Sequence, residues 1–270
     1  MWITGAAYRW YWRVSRGWLK RRILKTPGPA NLGQDEWARS LLSPTGFYLD
    51  CFRHFHQHLP ADVREHRLYF DQEARSFGED AMHVMWHWLF HELKPASFLE
   101  IGVYRGQIVS LAAMLAQRSG IACEVHGISP FSPAGDAVSV YLRDVNYLED
   151  TLKHFEHFSL ARPELLKAFS TDAAAVALIR SRAWDMIYVD GNHDYEVVKK
   201  DWAVCSESVK PGGVIVLDDA GLTTPYRPPK FATGGHPGPS RLAQEIAGGK
   251  FREILQVGHN RVFQRTTGDK

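Results

Sequence analysis

From Pro95 to the C-terminus, short uninterrupted apolar runs alternate with stretches whose apolar residues recur at helical spacing. Ser97–Ile101, Cys123–Ile128, Leu165–Phe169, Asp185–Val189 and Val214–Leu217 read as strands. Between them Ile108–Gln117, Tyr141–Phe158, Ala173–Ser181 and Tyr195–Ser208 read as helices. Strands apolar on both faces, each separated from the next by a helix, predict right-handed crossovers and a mostly parallel sheet covered on both sides. After a Gly/Pro-rich stretch, Leu222–Pro239, a short helix leads to Phe251–Val257 and Arg261–Gln264, a closing hairpin joined at Gly258-His259-Asn260. The expected fold class is α/β, a doubly wound and mostly parallel seven-stranded sheet with a helical N-terminal extension. No internal repeat is visible.

Upstream, Met82, Met85, Trp86, Leu89 and Phe90 predict a helix from about Glu79 to Pro95, and residues 35–77 carry shorter helical patterns. The first segment, ending at Thr26-Pro-Gly-Pro, is different. On a helix its Arg9, Arg13, Arg16 and Lys20 form one basic stripe, while Ile3, Ala7, Trp10, Val14 and Trp18 lie on another side. Trp2, Trp10, Trp12 and Trp18 among cations suit an interfacial helix on anionic lipid. Docking of the aromatic face on the body, or on a second subunit of a homo-oligomer, is the alternative, and both stay open. The expected division is an arm (1–30), a helical cap (31–78) and the α/β domain (79–270).

Charge sharpens that division. The chain has 32 Lys and Arg against 30 Asp and Glu, yet residues 1–34 hold seven of the basic residues and no acid. The remainder is mildly acidic, which speaks against a nucleic-acid partner for the body. Cys51, Cys123 and Cys205 are widely spaced with no C-x-x-C pair, so a reducing, cytoplasmic setting is expected, with the arm as the contact to an inner membrane face. No apolar run approaches the roughly 20 residues of a spanning helix. The apolar residues also precede the first Arg, the reverse of a secretory signal.

In a doubly wound sheet, ligands gather at the carboxyl ends of the strands. The first strand ends Phe98-Leu-Glu-Ile-Gly-Val-Tyr-Arg-Gly106, where Gly102 and Gly106 let backbone approach a ligand and Glu100 offers a carboxylate. This is not the G-x-G-x-x-G of a dinucleotide site, so a nicotinamide oxidoreductase is disfavoured. Asp190 ends the fourth strand and Asp218 and Asp219 end the fifth, so three carboxylates are expected at one rim. Clustered carboxylates repel unless a proton or cation joins them, and an all-oxygen set favours Mg²⁺. His193 follows closely and is a candidate base, or else a helix cap. The spacings of His83, His87 and His91, and of His54, His56 and His58, read as helix flanks rather than metal sites. Lys199, Lys200 and Asp201 read as a solvated face.

Together these motifs make the stretch Phe98–Asp219 resemble class I S-adenosylmethionine-dependent methyltransferases. In pattern it is similar to the small bacterial group allied to macrocin-type sugar O-methyltransferases and cephalosporin-hydroxylase-like proteins. The resemblance implies a Rossmann-like methyltransferase fold, S-adenosylmethionine as cofactor, and Mg²⁺-assisted O-methylation of a sugar, glycan or natural-product hydroxyl. It implies that Glu100, Gly102, Tyr104 and Gly106 hold the methionine and ribose portion, that Asp172 lies near the adenine, and that Asp190, Asp218 and Asp219 hold the metal. Asp190 or His193 would take the acceptor's proton. Where the family has an acid for the ribose at the end of the second strand, this chain has Ser129, with Asp136 farther on. Gly221–Pro239, with Tyr226 and Phe231, is a candidate acceptor lid. Two alternatives remain: a membrane-docked scaffold without turnover, motivated by Ser129 and the arm, and a hydroxylase. The latter would need two His and one carboxylate, where the rim read from sequence offers three Asp.

Overall fold

Five parallel strands, β1 (Ser97–Ile101), β2 (Glu124–Ser129), β3 (Glu164–Lys167), β4 (Trp184–Val189) and β5 (Val209–Leu217), are extended by an antiparallel hairpin, β6 (Phe251–Val257) and β7 (Asn260–Arg265). They form one seven-stranded sheet in the order β3-β2-β1-β4-β5-β7-β6. This computed structural model describes residues 15–73, 75–134, 138, 141–246 and 249–267. Helix α1 occupies residues 15–23. The helices α2 (Gln34–Leu42), α3 (Pro44–Gln57), α4 (Ala61–Phe70) and α5 (Asp80–Leu93) precede the sheet. Between and after the strands come α6 (Gln107–Arg118), α7 (Tyr147–His157), α8 (Ala173–Arg180), α9 (Tyr195–Ser208) and α10 (Pro237–Ile246).

Side chains alternate across the strands with period two, and the two sets build two cores. Phe98, Met186, Tyr188, Val214 and Val216 face α2, α3, α5 and α6, meeting Trp37, Phe47, Phe52, Trp86 and Val109. Leu99, Ile101, Ile187, Val189, Ile215 and Leu217 face α8, α9 and α10, meeting Ile179, Val198, Cys205 and Leu242. Each large side chain so buried contributes roughly 1.5–3 kcal/mol, and a one-residue slip would exchange the sets, so burial itself fixes the register. The helices from Gln34 to Leu93 thus share one core with a face of the sheet.

The expected elements are present, with shifted bounds. Helix α7 begins at Tyr147 rather than Tyr141, because Asn146 caps it by accepting the Glu149 N–H at 3.3 Å. Strand β5 begins at Val209, which pairs with Trp184 ahead of an irregularity before Val214. In the arm, Arg9, Arg13, Trp2, Trp10 and Trp12 lie outside the described residues. Lys20, on the expected basic stripe, instead turns inward to Asp80 (3.8 Å) and over the Phe231 ring (5.2 Å). Arg53 Nε donates to the Ile23 carbonyl at 3.2 Å, so this end of the arm is held on α3 and α5. No helix among the described residues is long and apolar enough to cross a membrane.

Candidate functional site

The chain leaves β1 toward β2 on one side and returns through β4 on the other, so the crevice of the fold opens beyond the ends of β1 and β4. There the Asp190 N–H donates to the Ile101 carbonyl at 2.8 Å, and the Gly102 N–H donates to the Ile128 carbonyl at 2.9 Å. Gly102 has φ 101°, and a Cβ on it would overlap the Asp190 carbonyl, so no other residue fits this turn. Gly106 caps α6. The Glu100 carboxylate is buried and accepts the Val109 N–H at 2.9 Å, in the first turn of α6. Burial pushes this carboxyl up to about 8 against that hydrogen bond, with the Asp218 charge adding to the rise.

Tyr104 is half-buried, its ring 4.9 Å from Phe77 and 5.2 Å from Tyr147. Ser129, buried at the end of β2, has its Oγ 3.5 Å from the Phe131 N–H. Asp172 sits exposed ahead of α8 and folds back on its own loop, accepting the Phe169 N–H at 2.9 Å. Asp136 lies outside the described residues. Glu100, Gly102, Gly106 and Ser129 therefore share the crevice, while the Asp172 carboxylate is engaged locally. A backbone turn stripped of side chains beside a buried carboxylate, on the crevice of a doubly wound sheet, fits a nucleoside-bearing cofactor.

Asp190, Asp218 and Asp219 meet at the ends of β4 and β5, in two different environments. Asp190 is half-buried and hydrogen-bonded to Asp218, and desolvation followed by the Asp218 charge raises its pKa well above the carboxylate range. Each of the two carboxylates thus disfavours ionisation of the other. Asp218 Oδ1 accepts from Asn260 Nδ2 at 2.6 Å and lies 3.3 Å from His259 Nε2. Burial alone would raise Asp218, but the His259 charge and hydrogen bond outweigh it and hold the carboxylate well below its usual range. His259 answers in kind: burial alone would lower it, and the Asp218 charge and hydrogen bond raise it to about 10.

Asp219 keeps Oδ1 3.9 Å from His259 Nε2 and meets two further histidines with its other oxygen. Its backbone is left-handed (φ 54°), and its Oδ2 lies 2.6 Å from His193 Nε2 and 3.9 Å from His236 Nε2. The rings of His193 and His236 are 4.0 Å apart.

For Mg²⁺ the fit is partial. A hard ion wants oxygen donors in near-octahedral array, yet Asp190 is committed to Asp218 and the three carboxylates do not converge on one point. The donor groups that do converge, within 4.8 Å among the described residues, are His193–Asp219–His236 and Asp218–Asp219–His259. Two imidazoles and one carboxylate thus stand at a rim that the sequence reading supplied with three carboxylates. His236 was missed because it lies 17 residues beyond Asp219, inside the Gly/Pro-rich stretch, where no periodicity marks it.

Three other expectations change. Asp201 is buried, not part of a solvated face: Val198, Asp201, Cys205 and Ser208 form the inward side of α9, and burial raises the Asp201 carboxyl to about 6 against a hydrogen bond to Ser170. Its Oδ2 has no hydrogen-bond partner. The Gly221–Pro239 stretch does not hold its aromatic rings out for an acceptor. Tyr226 is buried 5.5 Å from the Tyr48 ring and Phe231 packs 4.9 Å from Phe52, because α3 presents an apolar face there. Glu79 fastens both pieces, accepting from Tyr48 Oη at 2.7 Å and the Thr233 N–H at 2.8 Å. His83 is fully buried, bonded through Nε2 to His66 Nδ1 at 3.2 Å, and His66 Nε2 reaches Ser110 Oγ at 2.9 Å. His54, His56 and His58 do diverge, toward Pro29, Asp80 and Gly28.

The family profile described as a methyltransferase domain matches residues 99–220, from β1 through Asp218 and Asp219. The uncharacterized protein R132 of Acanthamoeba polyphaga mimivirus is 26% identical over 198 residues, 69% of this chain and 81% of its own. The methyltransferase PaMTH1 of Podospora anserina, solved with S-adenosylhomocysteine bound, superposes with a TM-score of 0.56 at 15% identity, covering 83% of this chain and 96% of that one. A putative caffeoyl-CoA O-methyltransferase from Staphylococcus aureus gives 0.55 at 12%, over 79% and 95%. An O-methyltransferase from Bacillus cereus, also in complex with S-adenosylhomocysteine, gives 0.51 at 13%, over 78% and 92%. At these identities the likeness to solved structures is one of fold.

Proposed function

We propose, from the premise that residues 99–220 are a class I S-adenosylmethionine-dependent methyltransferase domain, that this protein methylates a hydroxyl oxygen of a small acceptor, a sugar or related natural product. The observation that carries the reading is the His193–Asp219 pair, at 2.6 Å and partly open, on the loop whose Asp190–Gly191 backbone packs against Gly102. An imidazole is neutral over much of the physiological range and suits removal of a hydroxyl proton. The O-methyltransferase descriptions of the Staphylococcus aureus and Bacillus cereus structures add support for oxygen as the nucleophile.

S-adenosylmethionine supplies a methyl group on a sulfonium, an electrophile that needs only an aligned nucleophile. In the transfer, the acceptor oxygen bonds to the methyl carbon, the carbon–sulfur bond breaks with its electron pair left on sulfur, and the hydroxyl proton passes to His193. Asp219 orients the imidazole and stabilises the imidazolium once the proton arrives. Asp190 is hydrogen-bonded to Asp218, whose charge adds to the rise in its pKa, which favours His193 over Asp190 as the base. Gly102 and Glu100 shape the cofactor side of the crevice, and alignment there does much of the catalysis. Assistance by Mg²⁺ is a separate proposal, and turnover retained in EDTA would remove it.

Calorimetric titration with S-adenosylmethionine is expected to show micromolar binding, and no binding would turn the reading toward the scaffold. An acceptor screen starting with sugars then gives turnover, which His193→Gln should lower by roughly 10²–10⁴ with cofactor affinity intact. Turnover unchanged in that variant would move the base elsewhere. We place the arm on an anionic lipid surface, where Trp18 stands exposed beside Arg22; equal vesicle sedimentation with and without residues 1–25 would remove that location.

A further inference from the structure

We propose that His193, Asp219 and His236 form a binding position for a first-row transition-metal dication of the Zn²⁺ class, in preference to Mg²⁺. The three side chains come from three places: the loop after β4, the end of β5, and the segment entering α10. Several local features bring them together. At Asp219, where the backbone is left-handed, the carboxylate brings Oδ2 to His193 and His236 while Oδ1 stays 3.9 Å from His259 Nε2. The His236 N–H donates to the Asp219 carbonyl at 2.8 Å, tying the two ligand-bearing segments at the backbone. Gly235 has φ 97° and a Cβ on it would overlap Asp219, while a Cβ on Gly238 would overlap the His193 carbonyl. Glycines flanking His236 thus let its segment close down on both partners at once.

The donor chemistry selects the ion. Two imidazole nitrogens and one carboxylate oxygen suit a borderline ion, whereas Mg²⁺ takes oxygen and keeps its waters. Metal–donor distances near 2.0–2.1 Å imply donor–donor separations of about 3.3 Å around a tetrahedral ion. The separations here are 2.6 Å and 3.9 Å, so small side-chain rotations suffice. Access also distinguishes this group from Asp218–Asp219–His259. The His193 and His236 side chains are 20% and 35% exposed, but His259 and Asp218 are 7% and 13% exposed.

Three protein ligands leave a position for water or an acceptor oxygen, whose acidity the ion would raise as a Lewis acid. Ligation and general-base work are exclusive uses of His193, so the ion offers a second way to activate the same hydroxyl. The proposal rests on the reading above only in placing an acceptor at this rim.

The test is calorimetric titration of the metal-stripped full chain with ZnCl₂ and with MgCl₂, in wild type and His236→Gln. The expected result is one tight Zn²⁺ per chain that excess Mg²⁺ does not displace, weakened at least tenfold in His236→Gln. Zn²⁺ binding unchanged in the variant, or Mg²⁺ competing at similar concentration, would overturn it. If the variant does not fold, Co²⁺ loading of the wild type decides. An intense visible band reports a low-coordinate site with nitrogen ligands, and a faint band, expected of six oxygens, refutes the proposal. Titrating S-adenosylmethionine into the same preparations separates the two readings. Zn²⁺ binding without cofactor binding leaves the metal position standing while the transferase reading falls, and the reverse result does the opposite.

Discussion

Two groups of histidines, both buried in the same sheet's surroundings, sit at opposite ends of the imidazole range. Under α4, α5 and α6, burial drives His66 down to about 3 and lowers His83, with Arg67 adding to the effect. At the end of β5, an equally buried His259 is raised to about 10. The difference lies in the partners. His66 and His83 bond to each other and to a hydroxyl, which neutral rings can satisfy, whereas His259 faces Asp218 and Glu79. Desolvation acts alike on all three, so a carboxylate within hydrogen-bond reach decides the sign. The first group is packing; the second is a charged device set into the rim.

The strongest way to break this contrast is His259→Gln, which leaves Asp218 buried and without its counter-charge. Loss of one partner of a buried pair should cost about 3–5 kcal/mol, read by denaturant unfolding. His259 has its folded pKa raised above the unfolded value. Its stabilisation is therefore complete below about pH 6.5 and fades as pH rises through about 10. The gap between wild type and variant should close over that interval; a gap constant with pH would mean His259 is neutral. Asp218→Ala tests the pair from the other side and should also lower stability.

A smaller effect of opposite sign is expected at Asp201. Its folded pKa is raised to about 6, so the unfolded state ionises first and stability falls between about pH 4 and pH 6. Asp201→Asn escapes that penalty and should be stabilised by roughly 1–3 kcal/mol at pH 7.5, with no gain at pH 3.5. Equal melting temperatures at pH 7.5 would show the carboxylate to be solvated. Smallest is His83→Leu, expected to change stability by about 1 kcal/mol, the net worth of one hydrogen bond. That change should be flat from pH 6 to 9, because a ring that is already neutral has no proton to lose there.

What the sequence could disclose follows from the range of the forces involved. The strands were legible because each is a short apolar run, and Ser97–Ile101 and Tyr195–Ser208 were placed to the residue. Gly102 was legible as a turn residue, and Asp190, Asp218 and Asp219 as strand ends. What they would touch was not. The Asp218–His259 contact exists only because β7 returns antiparallel beside β5, pairing Leu217 with Arg261. Nothing in the run Gly258-His259-Asn260 distinguishes that turn from any other. Asp201 could have been found: Val198, Asp201, Cys205 and Ser208 repeat at helical spacing, and its charged neighbours Lys199 and Lys200 masked the pattern.

The clasp at Glu79 bears on how this molecule meets a protease. Lys230–Phe231 is a trypsin-type bond on an exposed stretch rich in Gly and Pro, the kind of segment where nicking concentrates. A protease must draw an extended length of chain into its cleft, and here that means prying Phe231 off Phe52 and the Thr233 N–H off Glu79. The folded chain should therefore keep this bond uncut while looser sites are lost, and Glu79→Gln should expose it. A stretch with no regular secondary structure would then behave, under digestion, like part of the core.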